Sequence, residues 1–338
     1  MTQREYFTDG EPLYFKFEQN REDFIVDEIP REFGGKGKNA IVLVKKTDIT
    51  TWDMIAAFAR YIGIDAERIG YAGLKDKHAT TTQYISMDAK YIFLLKRFEH
   101  KNIKILNITK DKYSIRMGDL VGNRFRIRLN DVDEIMLHEL QKRAKKITKY
   151  GVPNYFGYQR FGRDESSLQQ AKDMISGELF IEDNKLKKFL ISIYQSDLYN
   201  KWLQYRVALS KKENLEYLKL FEGDVYSDFK GKLFTPKNIL TEDFLAQKVT
   251  PTGLLAGRSV YRARAKAREI EKKFDDEFLY TKGERREAVV FPKNITFKYA
   301  KSQQSVVVDF SLPKGSYATV VLEALSNRNL KAKKRKNF

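Results

Sequence analysis

A single aspartate stands between two lysines in a stretch of the chain that has the composition of a tight loop. Residues 70–83 read GYAGLKDKHATTTQ, so Asp76 follows a turn-forming glycine and precedes a β-branched run that begins at Thr80. Nearby cations favour the ionised form of a carboxylate, which is the form needed for nucleophilic attack. Lys75 and Lys77 are also placed to attract the phosphates on either side of a bound nucleotide. A solvated loop with a local ion pair is an equally good interpretation of this pattern alone.

A second stretch combines aromatic rings with amide and guanidinium groups. Residues 152–162 read VPNYFGYQRFG. Phe156 has the right side chain to stack on an extruded base, while Asn154 or Gln159 reads the polar edge of that base and Arg160 contacts RNA. The alternative is ordinary packing of aromatic side chains in a core.

The charge of the chain indicates a polyanionic partner. Among 338 residues there are 63 lysines and arginines against 45 acidic residues, which gives a net charge of +18. A protein that neutralises phosphates releases condensed counterions, so an excess of this size favours nucleic-acid binding. Residues 331–338 carry five of these cations and are expected to form a disordered basic tail.

Several classes of site are excluded by what the sequence lacks. It contains no cysteine, which excludes disulfides and thiolate catalysis and fits a reducing compartment. The three histidines, His78, His100 and His138, are too scattered for a zinc site. There is no Gly-x4-Gly-Lys-Ser/Thr loop, so we expect no use of ATP. The longest apolar stretches are strand-sized and no signal peptide is evident, so we expect a soluble, cytoplasmic protein.

Alternating strands and helices are predicted to position these residues. Strands are predicted at residues 24–29, 40–45, 80–87, 102–108, 124–129 and 306–312. Helices are predicted from Thr50 to Gly63, at residues 131–150 and 259–278, and from about Tyr317. In the strand at residues 124–129 the arginines and the apolar residues alternate: Arg124, Arg126 and Arg128 face one side, and Phe125, Ile127 and Leu129 face the other. The three arginines are expected to contact RNA if their face is open, and otherwise they simply cover an exposed sheet face.

Taken together, the two chemically suggestive stretches resemble the TruD family of tRNA pseudouridine synthases. The resemblance depends on residues 72–79 (AGLKDKHA) and 153–162 (PNYFGYQRFG). Further similar blocks follow in the family's order along nearly the whole chain: residues 22–26, 122–125, 194–196, 223–224, 251–253, 285–286 and 312–319. Chance does not produce agreement at so many ordered blocks.

The resemblance implies a fold and its division into domains. The expected fold class is α/β, with a pseudouridine-synthase core that contains a large, mostly antiparallel sheet and with an inserted TruD-specific α/β domain. The catalytic domain is expected to be discontinuous, at residues 1–163 and 285–330, and the insertion to cover residues 164–284. RNA is expected to lie in a basic cleft between the two domains.

The resemblance also implies an activity, the cofactor-free isomerisation of uridine to pseudouridine at position 13 in the D-arm of tRNA. The family's catalytic aspartate corresponds to Asp76, its base-stacking phenylalanine to Phe156 and its active-site asparagine to Asn154. A carboxylate is suited to stabilise or trap an electron-poor sugar carbon. Attack on C1′, attack on the base and removal of a sugar proton are three roles that the sequence leaves open for it.

One position departs from the family's pattern. Family members often carry a lysine six residues before the phenylalanine of the Glu-Asp-Phe block, and that lysine pairs with the catalytic aspartate. Here the position holds Glu18, and Lys16 lies two residues earlier on the same strand face. The candidates to pair with the aspartate or to contact RNA are therefore Lys16, Lys75, Lys77 and His78.

Two other classes of function fit the composition. A noncatalytic RNA-binding protein or tRNA-folding chaperone would have the same basic surface, although it would not need the Asp76 loop. A nuclease normally needs a metal cluster or a general-base histidine, and the sequence shows neither. We therefore expect an enzyme. The resemblance implies tRNA as its substrate, and we expect it to be a monomer.

Overall fold

A computed structural model describes residues 4–162 and 165–330. The strands, in chain order, are β1 (Phe24–Pro30), β2 (Asn39–Thr47), β3 (Gly70–Tyr71), β4 (Thr80–Asp88), β5 (Ile103–Asp111), β6 (Leu120–Asn130), β7 (Val152–Pro153), β8 (Tyr226–Asp228), β9 (Leu233–Phe234), β10 (Val249–Leu255), β11 (Glu284–Glu287), β12 (Val289–Val290), β13 (Lys293–Ala300) and β14 (Ser305–Pro313). The α-helices are α1 (Thr51–Ile62), α2 (Ile92–Leu95), α3 (Glu134–Tyr150), α4 (Ser166–Ser176), α5 (Asn184–Lys212), α6 (Thr241–Leu245), α7 (Ala265–Glu271) and α8 (Ala318–Ser326). Among the described residues no helix has the length and apolar character needed to cross a membrane.

These elements form two compact units, each built from separate parts of the chain. The sheet unit contains residues 14–138 and 293–315, and the helical unit contains the described residues of 1–13, 139–292 and 316–338. The predicted catalytic and inserted domains have other boundaries, and they stay a prediction because compactness alone does not define an insertion. The predicted boundary at residues 163–164 and the predicted basic tail lie outside the described residues.

One eight-stranded sheet organises the sheet unit. Its strand order is β13-β14-β6-β1-β4-β2-β5, and β3 pairs with β4 off this path. The β1–β4 pair is parallel and the other neighbouring pairs are antiparallel. The prediction of a large, mostly antiparallel sheet is confirmed, and all six strands predicted from the sequence are present.

Helix α1 covers one face of this sheet. Every second residue of β2 between positions 40 and 44 contributes a buried apolar side chain to the core on that face. Thr50 caps the helix by accepting a hydrogen bond of 3.0 Å from a backbone N–H of the first turn. Gly63 ends it with a φ of 77°, a conformation that favours glycine. Phe58 is completely buried in a core that includes Val42 and Val44. Both predicted ends of α1 are therefore confirmed.

Helix α5 is the longest element of the helical unit, with 29 residues. This unit also has a four-stranded sheet in the order β11-β10-β8-β9 and the two-stranded pair β12-β7. In that pair Val152 lies opposite Val290, and Pro153 lies opposite Val289. The pairing fixes the backbone immediately before the Asn-Tyr-Phe segment.

The helix predicted at residues 259–278 is much shorter in the structure, where α7 has seven residues. The backbone N–H groups of Arg264 and Ala267 donate to the carbonyl oxygens of Gly223 and Glu222. These hydrogen bonds with another loop replace the helical hydrogen bonds that the sequence periodicity predicted. The predicted helices at residues 131–150 and from about Tyr317 are found as α3 and α8.

Candidate active site

Asp76 lies in the loop that joins β3 to β4. Its side chain is exposed, and its Oδ2 accepts a hydrogen bond of 3.0 Å from the Nε2 of Gln19. The surrounding protein removes part of the hydration of the carboxylate, which raises the pKa of Asp76 above its ordinary value, while the charges of Lys46 and Lys75 oppose that rise. The carboxylate is thus within reach of a ligand, crowded by protein atoms and close to two cations.

A buried lysine holds the backbone of this loop. The Lys46 side chain is wholly buried, and its Nζ donates to the carbonyl oxygens of Ile49 at 2.7 Å, Lys75 at 3.3 Å and Asp76 at 2.8 Å. Burial lowers the pKa of Lys46 to about 8, although the Asp76 carboxylate favours the charged form. Because a charged ammonium group has three hydrogens to donate, all three carbonyls are satisfied only while Lys46 is protonated.

Lys75 is fixed by partners other than Asp76. Its Nζ forms a buried ion pair of 2.6 Å with the Oε2 of Glu28. Its backbone N–H donates to the Oγ1 of Thr51 at 3.0 Å, and that hydroxyl donates in turn to the buried side chain of Gln83 at 3.1 Å. Lys75 therefore acts on the aspartate through its charge and not through a direct ion pair, and the loop is anchored beside its carboxylate.

None of the other predicted partners forms an ion pair with the loop carboxylate among the described residues. The Nζ of Lys16 pairs with Asp131 at 2.7 Å, so Lys16 does not take the place of the family's lysine in this structure. Lys77 and His78 are exposed residues of the loop itself, and their predicted contacts with RNA stay a prediction. The group that directly contacts the carboxylate is the amide of Gln19.

In the helical unit, Phe156 is the centre of a half-buried cluster of aromatic and cationic side chains. Its ring makes T-shaped contacts with Tyr199 and Tyr317, with centroids 5.5 and 6.2 Å apart. The guanidinium carbon of Arg286 lies 4.0 Å from the ring centroid. The backbone N–H and carbonyl of Phe156 bond to the side chain of Asn200 at 2.8 and 3.0 Å. The ring is therefore held in place while part of it stays accessible.

Asn154 orients the arginine of this cluster. Its buried Oδ1 accepts a hydrogen bond of 2.7 Å from Arg286, and its Nδ2 donates to the carbonyl of Glu287 at 2.9 Å. The Nε of Arg286 donates to the backbone carbonyl of Asn154 at 3.1 Å. The side-chain oxygen and the side-chain nitrogen of Asn154 are thus both hydrogen-bonded within the protein. The predicted role of Asn154 in reading the base stays a prediction.

Gln159 and Arg160 lie in the turn that follows Phe156. The Oε1 of Gln159 accepts a hydrogen bond of 3.2 Å from Thr319. Arg160 donates to two serine hydroxyls of α5, and burial lowers the pKa of its guanidinium. Within the described parts of the chain no carboxylate lies within ion-pair distance of Arg160 or Arg286, although the charge of Arg286 opposes the rise that burial causes in the pKa of Glu287. Both guanidinium groups lie beside the Phe156 ring.

The three arginines of β6 lie on a partly exposed face, as predicted, but carboxylates are bound to them. Arg124 makes two hydrogen bonds with Asp309, at 2.7 and 2.8 Å, and Arg126 lies 3.5 Å from the same carboxylate. Arg128 pairs with Asp23 at 3.0 Å. These carboxylates compensate much of the charge on this face, and the contact of the three arginines with RNA stays a prediction.

Each unit thus carries a different kind of chemical group. The sheet unit presents an accessible carboxylate near two cations. The helical unit presents an aromatic ring and a guanidinium group, which suit the flat face and the carbonyl oxygens of a base. In residues 4–162 and 165–330 no cluster of His, Asp and Glu has the arrangement to hold a metal ion.

The sequence interpretation missed Lys46, Gln19 and Arg286. A detectable pattern existed for Lys46, because Val42, Val44 and Lys46 alternate along β2 and the two valines are buried. A lysine in phase with buried apolar residues points to a buried charge with specific partners. Arg286 belonged to one of the recognised family blocks without an assigned role, and Gln19 had no pattern that distinguished it.

Comparison with known proteins finds relatives along the whole chain. The family model described as tRNA pseudouridine synthase D (TruD) matches residues 1–179 and 165–325. A tRNA pseudouridine synthase D from Nitratiruptor sp. is 39% identical over 97% of this chain and 99% of that protein. Proteins of the same name from Sulfurimonas denitrificans and Wolinella succinogenes are 37% and 34% identical, each over 97% of this chain and 99% of the relative.

A solved structure has the same fold. The crystal structure of a putative tRNA pseudouridine synthase D (TruD) from Methanosarcina mazei matches with a TM-score of 0.71 and 26% sequence identity, over 96% of each chain. This similarity, together with the large mixed sheet, confirms the predicted fold class.

Proposed function

The chain belongs to the tRNA pseudouridine synthase D (TruD) family, and on that premise we propose that it isomerises uridine to pseudouridine at position 13 in the D-arm of tRNA, with Asp76 as the catalytic carboxylate. The observation that carries the proposal is an accessible Asp76 side chain in a loop whose backbone is bonded to buried Lys46. Position 13 follows from the resemblance of the sequence to the family, and the role of Asp76 is supported by the geometry of its loop.

The reaction is an isomerisation, so it consumes no second substrate. The bond between C1′ and N1 breaks, the uracil turns, and C1′ forms a bond with C5. C5 loses a proton and N1 gains one, so atoms and electrons balance. In this proposal the ionised carboxylate of Asp76 stabilises or traps C1′ while it is electron-poor. Attack on the base and removal of a sugar proton would use the same ionised carboxylate.

The detached uracil has to be retained while it turns, and we assign that task to Phe156 and Arg286. The Phe156 ring is fixed by Tyr199, Tyr317 and its backbone hydrogen bonds, so it offers a preorganised surface for stacking. The guanidinium of Arg286 has N–H donors for the uracil carbonyl oxygens. Asn154 holds that guanidinium and is a positioning residue in this account.

We further propose that the enzyme acts as a monomer in the cytoplasm, with tRNA as its partner and without a nucleotide cofactor.

The proposal is tested by incubating the purified protein with an unmodified tRNA transcript and mapping pseudouridine at single-nucleotide resolution. Conversion at position 13 without any added cofactor is the expected result. A noncatalytic RNA-binding protein or tRNA chaperone would bind the transcript and leave every uridine unchanged.

A further inference from the structure

A basic groove lies in the sheet unit. It has a volume of about 740 Å³, and the side chains relevant to its chemistry are Arg31, Lys38, Lys112, Tyr113, Arg116 and Asp119. We call it the Tyr113 groove. A recess of about 230 Å³ shares Lys38 with it and adds Arg68 and the far end of β4 at Asp88. The two form a continuous basic surface.

A buried carboxylate fixes the walls of the Tyr113 groove. Asp111 is 3% exposed and accepts hydrogen bonds from the backbone N–H groups of Tyr113 at 2.8 Å and Gly34 at 2.9 Å. The guanidinium of Arg31 lies 3.3 Å from the same carboxylate. The Tyr113 and Gly34 N–H groups lower the pKa of Asp111 to about 2, so it stays charged across the physiological range. Two segments of the chain, residues 31–34 and 111–113, are thereby held together at one ionised group.

Close backbone contact supports the same construction. Gly37 has a φ of 140°, and a Cβ at this position would lie 2.3 Å from the carbonyl oxygen of Asp111. The glycine-rich segment therefore runs directly against the end of β5 and places Lys38 at the rim of the groove. The groove is a built feature of the fold because its walls depend on these contacts.

The charges of the groove are mostly uncompensated. Lys38, Lys112 and Arg116 are exposed, and the described residues provide none of their side chains with a carboxylate partner. Asp119 is the acidic group of the lining, and it accepts a hydrogen bond from the backbone N–H of Arg116. Tyr113 is 63% exposed, and the Nζ of Lys112 lies over its ring, 5.3 Å from the centroid, so the ring stands beside these cations at the surface.

We propose that the Tyr113 groove is a second RNA-binding site, where the three exposed cations contact backbone phosphates and Tyr113 stacks on a base. Every base has a flat face that stacks on an aromatic ring, and phosphates pair with lysine and arginine, so RNA matches both features. An acidic protein would use the cations but would leave the exposed ring without a matching group. The inference rests on the proposed function, because it takes tRNA as the RNA.

The position of the groove specifies which part of the tRNA it contacts. Strand β4 begins beside the Asp76 loop at Thr80, and its other end at Asp88 lines the recess of the groove. Nine residues of strand span roughly 25 Å. Lys38 and Lys112 lie at this far end, because Asn39 pairs with both Asp88 and Asp111, whereas the Arg116 end of the groove lies nearer to the loop, since the N–H of Gly118 donates to the carbonyl of Ala72. We therefore expect the Lys38 and Lys112 end of the groove to contact the tRNA outside the arm whose uridine is at Asp76, so that an isolated D-arm hairpin depends less on the groove than the full tRNA does.

The test measures dissociation constants for a full tRNA and for its isolated D-arm hairpin, with every variant built on Asp76→Asn. The groove variant combines Lys38→Gln, Lys112→Gln and Arg116→Gln. Its dissociation constant for the full tRNA should be roughly tenfold or more higher than that of the Asp76→Asn parent. The slope of its affinity against salt concentration should fall by the amount expected for two to three lost phosphate contacts. Its dissociation constant for the hairpin should stay within about twofold of the parent's. Tyr113→Ala should also weaken binding of the tRNA, and Tyr113→Phe should retain it.

The matched control combines Lys96→Gln, Lys101→Gln and Lys104→Gln, three exposed lysines beside another surface of the same unit. This control should bind the full tRNA within about threefold of the Asp76→Asn parent. The inference is overturned if the control weakens binding as much as the groove variant, if the groove variant binds tRNA normally, or if it loses tRNA and hairpin equally. Binding is measured without turnover, so the result for the groove does not depend on the isomerase assay. Failure of the isomerase assay would overturn the proposed function alone.

Discussion

The Nζ of Lys46 lies 2.8 Å from the carbonyl oxygen of Asp76, so a buried charge holds the backbone of the proposed catalytic residue. The same ammonium group bonds to the carbonyls of Lys75 and Ile49. A neutral amine has only two hydrogens to donate, so deprotonation of Lys46 leaves one of these carbonyls without its donor. The conformation of the loop is therefore linked to the protonation of a lysine that does not touch the substrate in this account.

Replacement of Lys46 by methionine should impair turnover far more than folding. Displacement of a reacting group by about 1 Å costs roughly 100-fold in rate, so we expect kcat of Lys46→Met to fall by about that factor. The dissociation constant for tRNA should change less than about threefold. Loss of the hydrogen bonds is offset by removal of a desolvated charge, so the melting temperature should change little.

The matched control for this variant is Lys45→Met, because Lys45 is the adjacent residue of β2 and is exposed. It should keep nearly normal kcat. Lys46→Arg should restore part of the activity if the positive charge is what holds the loop. Near-normal turnover of Lys46→Met would show that the loop does not need this charge.

Turnover should decline as the pH rises through about 8, the pKa to which burial lowers Lys46. The protonated form holds the loop, so activity is retained below that pKa and lost above it. A lysine in water ordinarily titrates well above this range, so binding of tRNA should hardly change between pH 7 and pH 9. A pH profile of kcat for the wild type and for Lys46→Arg provides the measurement, and the decline near pH 8 should be absent from the arginine variant.

Stability should respond to the same titration in the opposite direction. The folded-state pKa of Lys46 lies below its ordinary value of 10.5, so between about 8 and 10.5 the unfolded chain binds more protons than the folded one. The contribution of this group to the free energy of unfolding therefore increases with pH across that range. The melting temperature of the wild type minus that of Lys46→Met should rise from pH 8 to pH 10. A difference that falls instead would contradict the buried, charged lysine.

Phe156→Ala should separate stacking from packing. Truncation of a fully buried phenylalanine to alanine lowers the free energy of unfolding by about 3–5 kcal/mol. The matched control is Phe161→Ala, which should show this loss because Phe161 is only 1% exposed. Phe156 is only half-buried, so its stability loss should be smaller. Single-turnover formation of pseudouridine should fall strongly, because stacking contributes about 1–3 kcal/mol per base. A large drop in melting temperature with normal chemistry in the folded fraction would make Phe156 a core residue.

Asn154 and Arg286 should behave as one functional group. If Asn154 acts by orienting the guanidinium, Asn154→Ala should reduce kcat in the wild type and have little further effect in an Arg286→Gln background. The double variant should then be close to the more affected single variant. Fully additive losses would mean that Asn154 has its own role, such as reading the base.

The sequence predicted those parts of the fold that depend on local patterns. The alternation of apolar and charged residues correctly predicted the buried face of β6. The capping residue Thr50 and the helix-ending Gly63 correctly predicted the two ends of α1. Local patterns were sufficient for these features. Asp76 and Phe156 were singled out by two motifs that resemble a known family, and their roles in catalysis stay predictions.

Contacts set by strand pairing were beyond the sequence. Lys46 lies opposite Thr81 in the register of β2 and β4, and this pairing brings its ammonium group to the loop that precedes β4. The spacing of Lys16 in the sequence suggested a partner for Asp76, yet Lys16 pairs with Asp131. The predicted helix at residues 259–278 was also too long. Sequence periodicity carries no information about the hydrogen bonds that this segment forms with a distant loop.

The central claim, that the ionised carboxylate of Asp76 carries the chemistry, is tested most directly by Asp76→Asn. The substitution keeps the size of the side chain and the backbone carbonyl bound by Lys46, and it removes the charge. We predict no detectable pseudouridine at position 13 in a single-turnover assay with unmodified tRNA, together with a dissociation constant for that tRNA within about threefold of the wild type. Formation of pseudouridine by Asp76→Asn at a rate near that of the wild type would contradict the account.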